Sequence, residues 1–262
     1  MAFDHQPRKR FGQNFLHDPA IIQRIVDTVA PRPGQHLVEI GPGLGAITRP
    51  LLEAAGSLDV VELDRDLAPR LAAELSAHGA LRIHQADALK FDFTRLAPPG
   101  ERLRVVGNLP YNISTPLIFH LLEQARVIED MHFMLQKEVV DRLAAEPHGA
   151  DYGRLSVMVQ YHCAVIPLFG IGPGAFRPPP RVHSAFVRLR PHAAPPVEAG
   201  DERRFARLVS AAFAHRRKTL RNNLRGLLDE EAIRRAGIDP GTRAETLSLA
   251  DFAALSRACR PT

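Results

Sequence analysis

The 262-residue sequence predicts an α/β fold: a mostly parallel sheet with helices on both faces, followed by a small all-helical domain. Three observations predict it. Short apolar strands alternate with helical stretches through the first 150 or so residues, as strand–helix crossovers require. A glycine cluster stands where the first of these strands passes into a helix. After Asp151 the alternation stops, and beyond a proline-rich stretch the pattern is helical only.

In chain order, Asp18 is a suitable N-cap and Pro19 a suitable first helical residue. Ile21, Ile22, Ile25, Val26 and Val29 then recur on one face, and Pro31, Pro33 and Gly34 stop the helix. Strands are expected at His36–Ile40, Leu58–Glu62, Leu81–Gln85, Leu103–Gly107 and Met131–Gln136. Helices are expected between and after them at Ala46–Ala55, Leu67–His78, Pro116–Gln124 and Lys137–Glu146. Residues 152–162 read as a further helix, and Ala164–Ile171 and Ser184–Arg190 as two strands that could pair antiparallel at the sheet edge. Pro191–Gly200 reads as a linker. From Asp201 on, Phe205, Leu208, Val209, Ala212 and Phe213 supply an amphipathic stripe. The expected domains are thus 1–191, with a flexible basic segment at 1–17, and 192–262.

Hydrophobic residues make up 45% of the chain and charged ones 24%, enough for a packed core and against global disorder. No apolar run reaches the roughly 18–20 residues of a membrane span, and the N-terminal residues lack the apolar region of a secretory leader. Two cysteines exclude a disulfide scaffold or a cysteine-rich metal site, and a reducing cytoplasm is expected. The net charge of +5 is unevenly spread: −4 over residues 1–151, +10 over 152–228 and −1 over 229–262. Such asymmetry fits either a polyanion partner or an ordinary solvated basic surface. The run from His215 to Asn223 favours nucleic acid. Read as helix, it puts Arg217, Arg221 and Arg225 on one face with no acid nearby, so Arg216, Arg217, Lys218 and Arg221 are candidate phosphate contacts.

The chemistry concentrates at the ends of successive strands. Gly41-Pro42-Gly43-Leu44-Gly45 follows the first, preceded by Glu39. Its G-x-G-x-G spacing differs from the G-x-G-x-x-G that cradles a pyrophosphate, which points to S-adenosylmethionine over a dinucleotide, with Gly41 and Gly43 close to it. Glu62 closes the second strand, about 20 residues on, where a carboxylate can accept from both ribose hydroxyls. Asp87 follows the third strand and suits the exocyclic amine of adenine. The fourth ends in Asn108-Leu109-Pro110-Tyr111. An amide oxygen, a proline-stiffened turn and an aromatic ring are what methylation of a base amine needs. Asn108 and a nearby carbonyl can accept from the amine and aim its lone pair, and Tyr111 can stack on the base.

Gly12–Asp18 (GQNFLHD), Glu39–Thr48 (EIGPGLGAIT), Val60–Asp64 (VVELD), Asn108–Ser114 (NLPYNIS), Phe176–Ala185 (FRPPPRVHSA) and His215–Leu224 (HRRKTLRNNL) together resemble the ribosomal RNA adenine dimethyltransferase family, most of all its bacterial small-subunit branch. The motifs occur in the family's order and span nearly the whole chain. The resemblance implies a Rossmann-like, S-adenosylmethionine-dependent enzyme that makes N6,N6-dimethyladenosine at two adjacent adenosines in the 3′-terminal hairpin of 16S rRNA. It implies action on a small-subunit (30S) assembly intermediate. It further implies cofactor contacts from Asn14, Leu16, Gly41, Glu62, Asp87 and Asn108, a methyl-transfer site of Asn108, Leu109, Pro110 and Tyr111, and Phe176 as a second stacking platform. The segment around Asn14, with Arg8–Arg10 ahead of it, reads either as a solvated tail or as a flap over the cofactor.

Other chemistries lack residues. The 12 histidines form no metal-binding spacing, and there is no nucleophile elbow or phosphate-binding P-loop. No metal and no membrane contact are expected, and nothing requires more than a monomer. Two alternatives stay open: a relative that acts on large-subunit rRNA, and an assembly factor that acts chiefly by binding.

Overall fold

A computed structural model describes residues 14–259. Its strands are β1 (Phe15–Leu16), β2 (His36–Ile40), β3 (Ser57–Glu62), β4 (Ala80–Gln85), β5 (Leu103–Asn108), β6 (Ile128–Gln136), β7 (Cys163–Ile171), β8 (Phe176–Arg177) and β9 (Ser184–Pro191). Its α-helices are α1 (Pro19–Val29), α2 (Thr48–Ala55), α3 (Leu67–Leu75), α4 (Ser114–Leu122), α5 (Lys137–Ala144), α6 (Arg154–His162), α7 (Glu202–Ala212), α8 (Leu220–Asn223), α9 (Glu230–Arg235) and α10 (Leu249–Ala258). The chain forms two compact units, residues 14–140 with 166–191, and residues 141–165 with 192–259.

The first unit is built on a seven-stranded sheet of order β4-β3-β2-β5-β6-β9-β7. Strands β2 to β6 pair in parallel, and β9 joins β6 antiparallel. The chain runs outward from β2 through β3 to β4, then crosses back to place β5 on the other side of β2. The order therefore reverses between β2 and β5, where an open parallel sheet leaves a crevice at the carboxyl ends of its strands. Gly107 lets these two strands close up. Opposite Ile40 in the register, a Cβ there would stand 2.7 Å from the Ile40 carbonyl oxygen and 2.9 Å from Leu109.

Helix α1 starts as its sequence demands. The Asp18 carboxylate accepts the amides of Ala20 and Ile21 at 2.9 and 3.2 Å. Its far end is held by a buried network. Arg104 on β5 donates to both carboxylate oxygens of Asp130 on β6, at 2.9 and 3.1 Å, to the Val29 carbonyl at 2.8 Å and to Gln35 at 3.0 Å. Arg188 on β9 donates to Asp130 at 2.8 Å. Burial pushes Asp130 up, but the Arg104 hydrogen bond and the charges of Arg104 and Arg188 hold it below the usual carboxylate range. Burial likewise pushes neighbouring His132 down to about 4, so it is neutral at pH 7. Asp130→Ala strands a buried guanidinium and should cost about 3 kcal/mol in urea unfolding. A loss within 0.5 kcal/mol would show that the network is solvated.

The second unit differs from the expected 192–262, because residues 141–165 group with it. The reason is the apolar face of α6. Leu155, Met158, Val159 and Tyr161 are buried there, and the Tyr161 ring lies 4.6 Å from that of Phe205 on α7. Tyr152 donates to the Leu247 carbonyl at 2.8 Å. A proline-rich stretch such as 191–200 marks where the chain turns, not which earlier helix the next one packs on. Among the described residues, no helix is long and apolar enough to cross a membrane.

Candidate active site

The crevice between β2 and β5 opens into a cavity of about 310 Å³, formed by the first unit alone. The glycine turn makes one wall. Gly41 and Gly43 take φ of +67° and +58°, the left-handed region that disfavours side chains. A Cβ on Gly43 would also meet the Phe15 ring at 3.2 Å. The helix expected from Ala46 starts at Thr48, because residues 43–47 stay in turns.

Two carboxylates face this wall. Glu62, at the end of β3, accepts the Asp64 amide at 2.7 Å. Burial raises its pKa, the amides of Asp64, Gly43 and Leu63 oppose that, and the Asp64 charge adds to it. Glu39, at the end of β2, is 1% exposed, and its Oε2 has no hydrogen-bond partner. Burial pushes its pKa up to about 8, with neighbouring Thr48 drawing it down and Glu62 pushing it up. Asp87 closes a tight turn after β4, accepting the Leu89 amide at 3.0 Å, and lines the same cavity.

The opposite wall is the segment that ends β5. Asn108 donates from Nδ2 to the Asn14 carbonyl at 3.2 Å, which fixes the amide plane. Leu109 is buried, and its amide donates to the Met134 carbonyl at 3.2 Å, so it can act only through its backbone. Ile113 closes a turn on Pro110 at 3.1 Å. The Tyr111 ring is half-buried, and its hydroxyl shares a 2.8 Å hydrogen bond with Ser184 on β9. Burial raises the Tyr111 pKa against that bond, so the phenol stays neutral. Asn14 and Leu16 reach the cavity because β1 pairs antiparallel with β8, Leu16 opposite Phe176.

Every expected cofactor and catalytic position therefore lines one cavity: Asn14, Leu16, Gly41, Gly43, Glu62, Asp87 and Asn108 to Tyr111. Arg8–Arg10 lie outside the described residues. Sequence reading missed Ser184, whose role shows only once β9 lies beside β6, and Glu39 as a buried acid.

The expected RNA contacts fare differently. Phe176 is 2% exposed, packs in the hydrophobic core and does not line the cavity, so it offers no ring face to a base. Its strand pairs with β1, and that pairing turns the ring inward. The single helical face of Arg217, Arg221 and Arg225 does not form. Helix α8 is four residues long, Arg217 precedes it and Arg225 follows it. Asn223 is the cause: its Nδ2 donates to the carbonyls of Ala212 and His215 at 2.7 and 3.0 Å, closing the turn after α7. Arg216 is not free of acids, since it pairs with Glu245 at 3.2 Å and donates to the Ala150 carbonyl. Arg217, Lys218 and Arg221 are exposed.

The donor set fits an adenosine-type sulfonium cofactor. The buried carboxyls of Glu39 and Glu62 line the cavity and can accept from hydroxyls, and the Glu39 Oε2 has no hydrogen-bond partner. Among the described residues, no cluster of His, Cys, Asp or Glu could hold a metal ion. Glu62→Ala should raise the dissociation constant for S-adenosylmethionine roughly thirtyfold, about 2 kcal/mol, for a charge-assisted pair of hydrogen bonds. Calorimetric titration would show it, and unchanged affinity would remove Glu62 from the cofactor site.

The family model described as ribosomal RNA adenine dimethylase matches residues 4–260. A protein of Pseudomonas aeruginosa named ribosomal RNA small subunit methyltransferase A is 60% identical over 97% of this chain and 95% of its own. One of that name from Methylococcus capsulatus is 61% identical over 98% of this chain and 99% of its own. Among solved structures, the 23S rRNA methyltransferase ErmE is 30% identical with a TM-score of 0.71, covering 94% of this chain and 99% of that one. A dimethyladenosine transferase from Plasmodium falciparum, at 24% identity, shares the fold with a TM-score of 0.73 over 92% and 95% of the two chains.

Proposed function

The chain belongs to the ribosomal RNA adenine dimethylase family, and from that premise we propose the reaction its cavity serves. The enzyme is a small-subunit rRNA adenine dimethyltransferase. It uses S-adenosylmethionine to convert two adjacent adenosines in the 3′-terminal hairpin of 16S rRNA to N6,N6-dimethyladenosine. The observation that carries this reading is the convergence of Glu62, Asp87 and Asn108 to Tyr111 on one cavity at the sheet's reversal point. Small subunit over large rests on identity: about 60% over nearly the full length to the small-subunit enzymes, against 30% to the 23S enzyme.

When bound, the cofactor supplies a sulfonium methyl group and leaves as S-adenosylhomocysteine. Glu62 accepts from the ribose hydroxyls, and Asp87 accepts from the adenine amine. The glycine turn lets backbone approach without a side chain between. The target adenine leaves its stack and lies against Tyr111. Its amine donates to Asn108 Oδ1 and to a neighbouring backbone carbonyl, which draws the nitrogen toward a tetrahedral shape and aims its lone pair at the methyl carbon. The excess proton on the methylated nitrogen would pass to solvent water, because Asn108 can accept a hydrogen bond but not a proton. Most of the rate comes from orientation.

We place the enzyme in the cytoplasm as a monomer acting on a small-subunit assembly intermediate. Arg217, Lys218 and Arg221 serve as phosphate contacts, with Arg216 held by Glu245. The test uses purified protein, labelled S-adenosylmethionine and unmethylated small subunits beside large ones. Label in 16S rRNA, with mass analysis showing dimethyladenosine, is expected. Label confined to 23S rRNA would overturn the reading.

A further inference from the structure

The second unit carries a groove of about 630 Å³ between α7, the start of α6 and the turn after α8. Three arginines line it from three separate elements: Arg154 at the first position of α6, Arg207 in α7 and Arg225 beyond α8. All three are exposed, no acid lines the groove, and none of the three has an ion pair among the described residues. Three other arginines of the same unit are neutralised by acids. Arg216 pairs with Glu245, Arg234 with Glu230 and Arg235 with Glu231. What sets the groove apart is that three such arginines, from three separate elements, converge on one trough with no acid in its lining. Its floor is small, with Ala211 and Ser210 on α7, and at Gly226 an added Cβ would meet nothing within 4 Å.

We propose that this groove binds the phosphodiester backbone of RNA, a second contact surface beside the exposed turn at Arg217 and Lys218. The proposal rests on the functional reading above. Three guanidiniums around a trough without acids suit a chain of regularly spaced anions. A low floor of alanines lets such a chain approach α7 closely. An acidic peptide fits worse, because the α7 backbone groups that form the floor already bond within the helix and offer no strand-like partner. The linear spacing of Arg217, Arg221 and Arg225 concealed the arrangement. Folding separates Arg225 from the other two and sets it beside Arg207 and Arg154.

The test is the full-length triple variant Arg154→Gln, Arg207→Gln, Arg225→Gln, with the three single variants and an Arg→Lys triple. Affinity for naked 16S rRNA and for unmethylated small subunits is measured across a potassium chloride series. For the Gln triple, a loss of at least about tenfold in affinity is expected. The slope of log affinity against log salt should fall by roughly 2, at about 0.7–0.9 per lost phosphate contact. Each single variant should give about a third of that change, and the Lys triple should retain most of the slope. Cofactor affinity should stay within about twofold, so that the loss lies in RNA contact and not in the fold. An unchanged slope on naked RNA overturns the proposal. So does a loss seen only on assembled subunits, which would mark a protein-facing surface. If the groove variants lose RNA binding but the wild type transfers no methyl to small subunits, the groove stands and the functional reading falls.

Discussion

Asn108→Ala is expected to lower the rate of methyl transfer by on the order of 10²–10³, the usual effect of removing one preorganised polar group at a reacting centre. Rate, not binding, should carry the effect. Asn108 holds one end of its amide on the Asn14 carbonyl, at 3.2 Å, which leaves Oδ1 as the acceptor facing the cavity. The target amine is conjugated with its ring and is a poor nucleophile until an acceptor draws its hydrogens out of plane. Alanine removes that acceptor in the transition state, while the RNA is still held elsewhere. Single-turnover assays on unmethylated subunits would give the rate, and filter binding the RNA affinity. A variant that turns over within threefold of wild type would show that the acceptor lies elsewhere. Asn108→Asp separates the two ends of the amide. It keeps an acceptor but cannot donate to Asn14, so a smaller loss in rate with a weaker cofactor complex is expected.

Tyr111 and Ser184 show how the site is held without charge. Strand β9 returns antiparallel beside β6 and brings the buried Ser184 hydroxyl to the phenol at 2.8 Å. This bond fixes the direction of the ring but leaves its pocket-side surface free to stack. Proximity catalysis demands a base held in a fixed orientation, and in the proposed function a ring anchored at its far end would hold it so.

Much of this was legible in the chain. Asp18-Pro19 predicts the start of α1, and the structure places the cap there. The strand His36–Ile40 has the bounds its apolar run suggests, and the others differ by a few residues at their ends. The motifs at the strand ends are local, so their residues reach one cavity once the sheet forms. What was not legible depends on pairing across the chain. Nothing local shows that Phe176 pairs beside Leu16 and turns inward, that α6 packs on α7, or that Asn223 ends the helical run its neighbours suggest. Helical spacing is a hypothesis about a continuous helix, and one asparagine bonding two carbonyls is enough to break it. Glu39 was hidden differently. Its place before the glycines was plain, but its burial was not.

That burial gives the last prediction. Glu39 has an ordinary pKa of 4.5 and a folded value of about 8, so the folded protein holds a proton there that the unfolded chain has lost. Between these two values the native state binds more protons than the unfolded state, so stability falls as pH rises. The favourable contribution is fully present below pH 4.5 and is lost as pH rises through 8. The interval corresponds to at most about 5 kcal/mol. Glu62 shifts in the same direction, and its raised value adds to the slope. Glu39→Gln removes the titration but keeps the shape of the side chain. It should therefore flatten the fall in thermal stability between pH 5 and 8.5, and should be more stable than wild type at pH 8.5. The gap between the two proteins should close toward pH 5, where both carry a neutral group. A wild type whose melting temperature is level across this range would mean that Glu39 is ionised in the fold. Its unpartnered oxygen would then need a cation or a donor not yet identified. If the slope is seen, binding a cationic cofactor in this cavity should reduce it. A nearby positive charge favours the carboxylate, draws the folded pKa back toward 4.5 and releases the proton that the empty site retains.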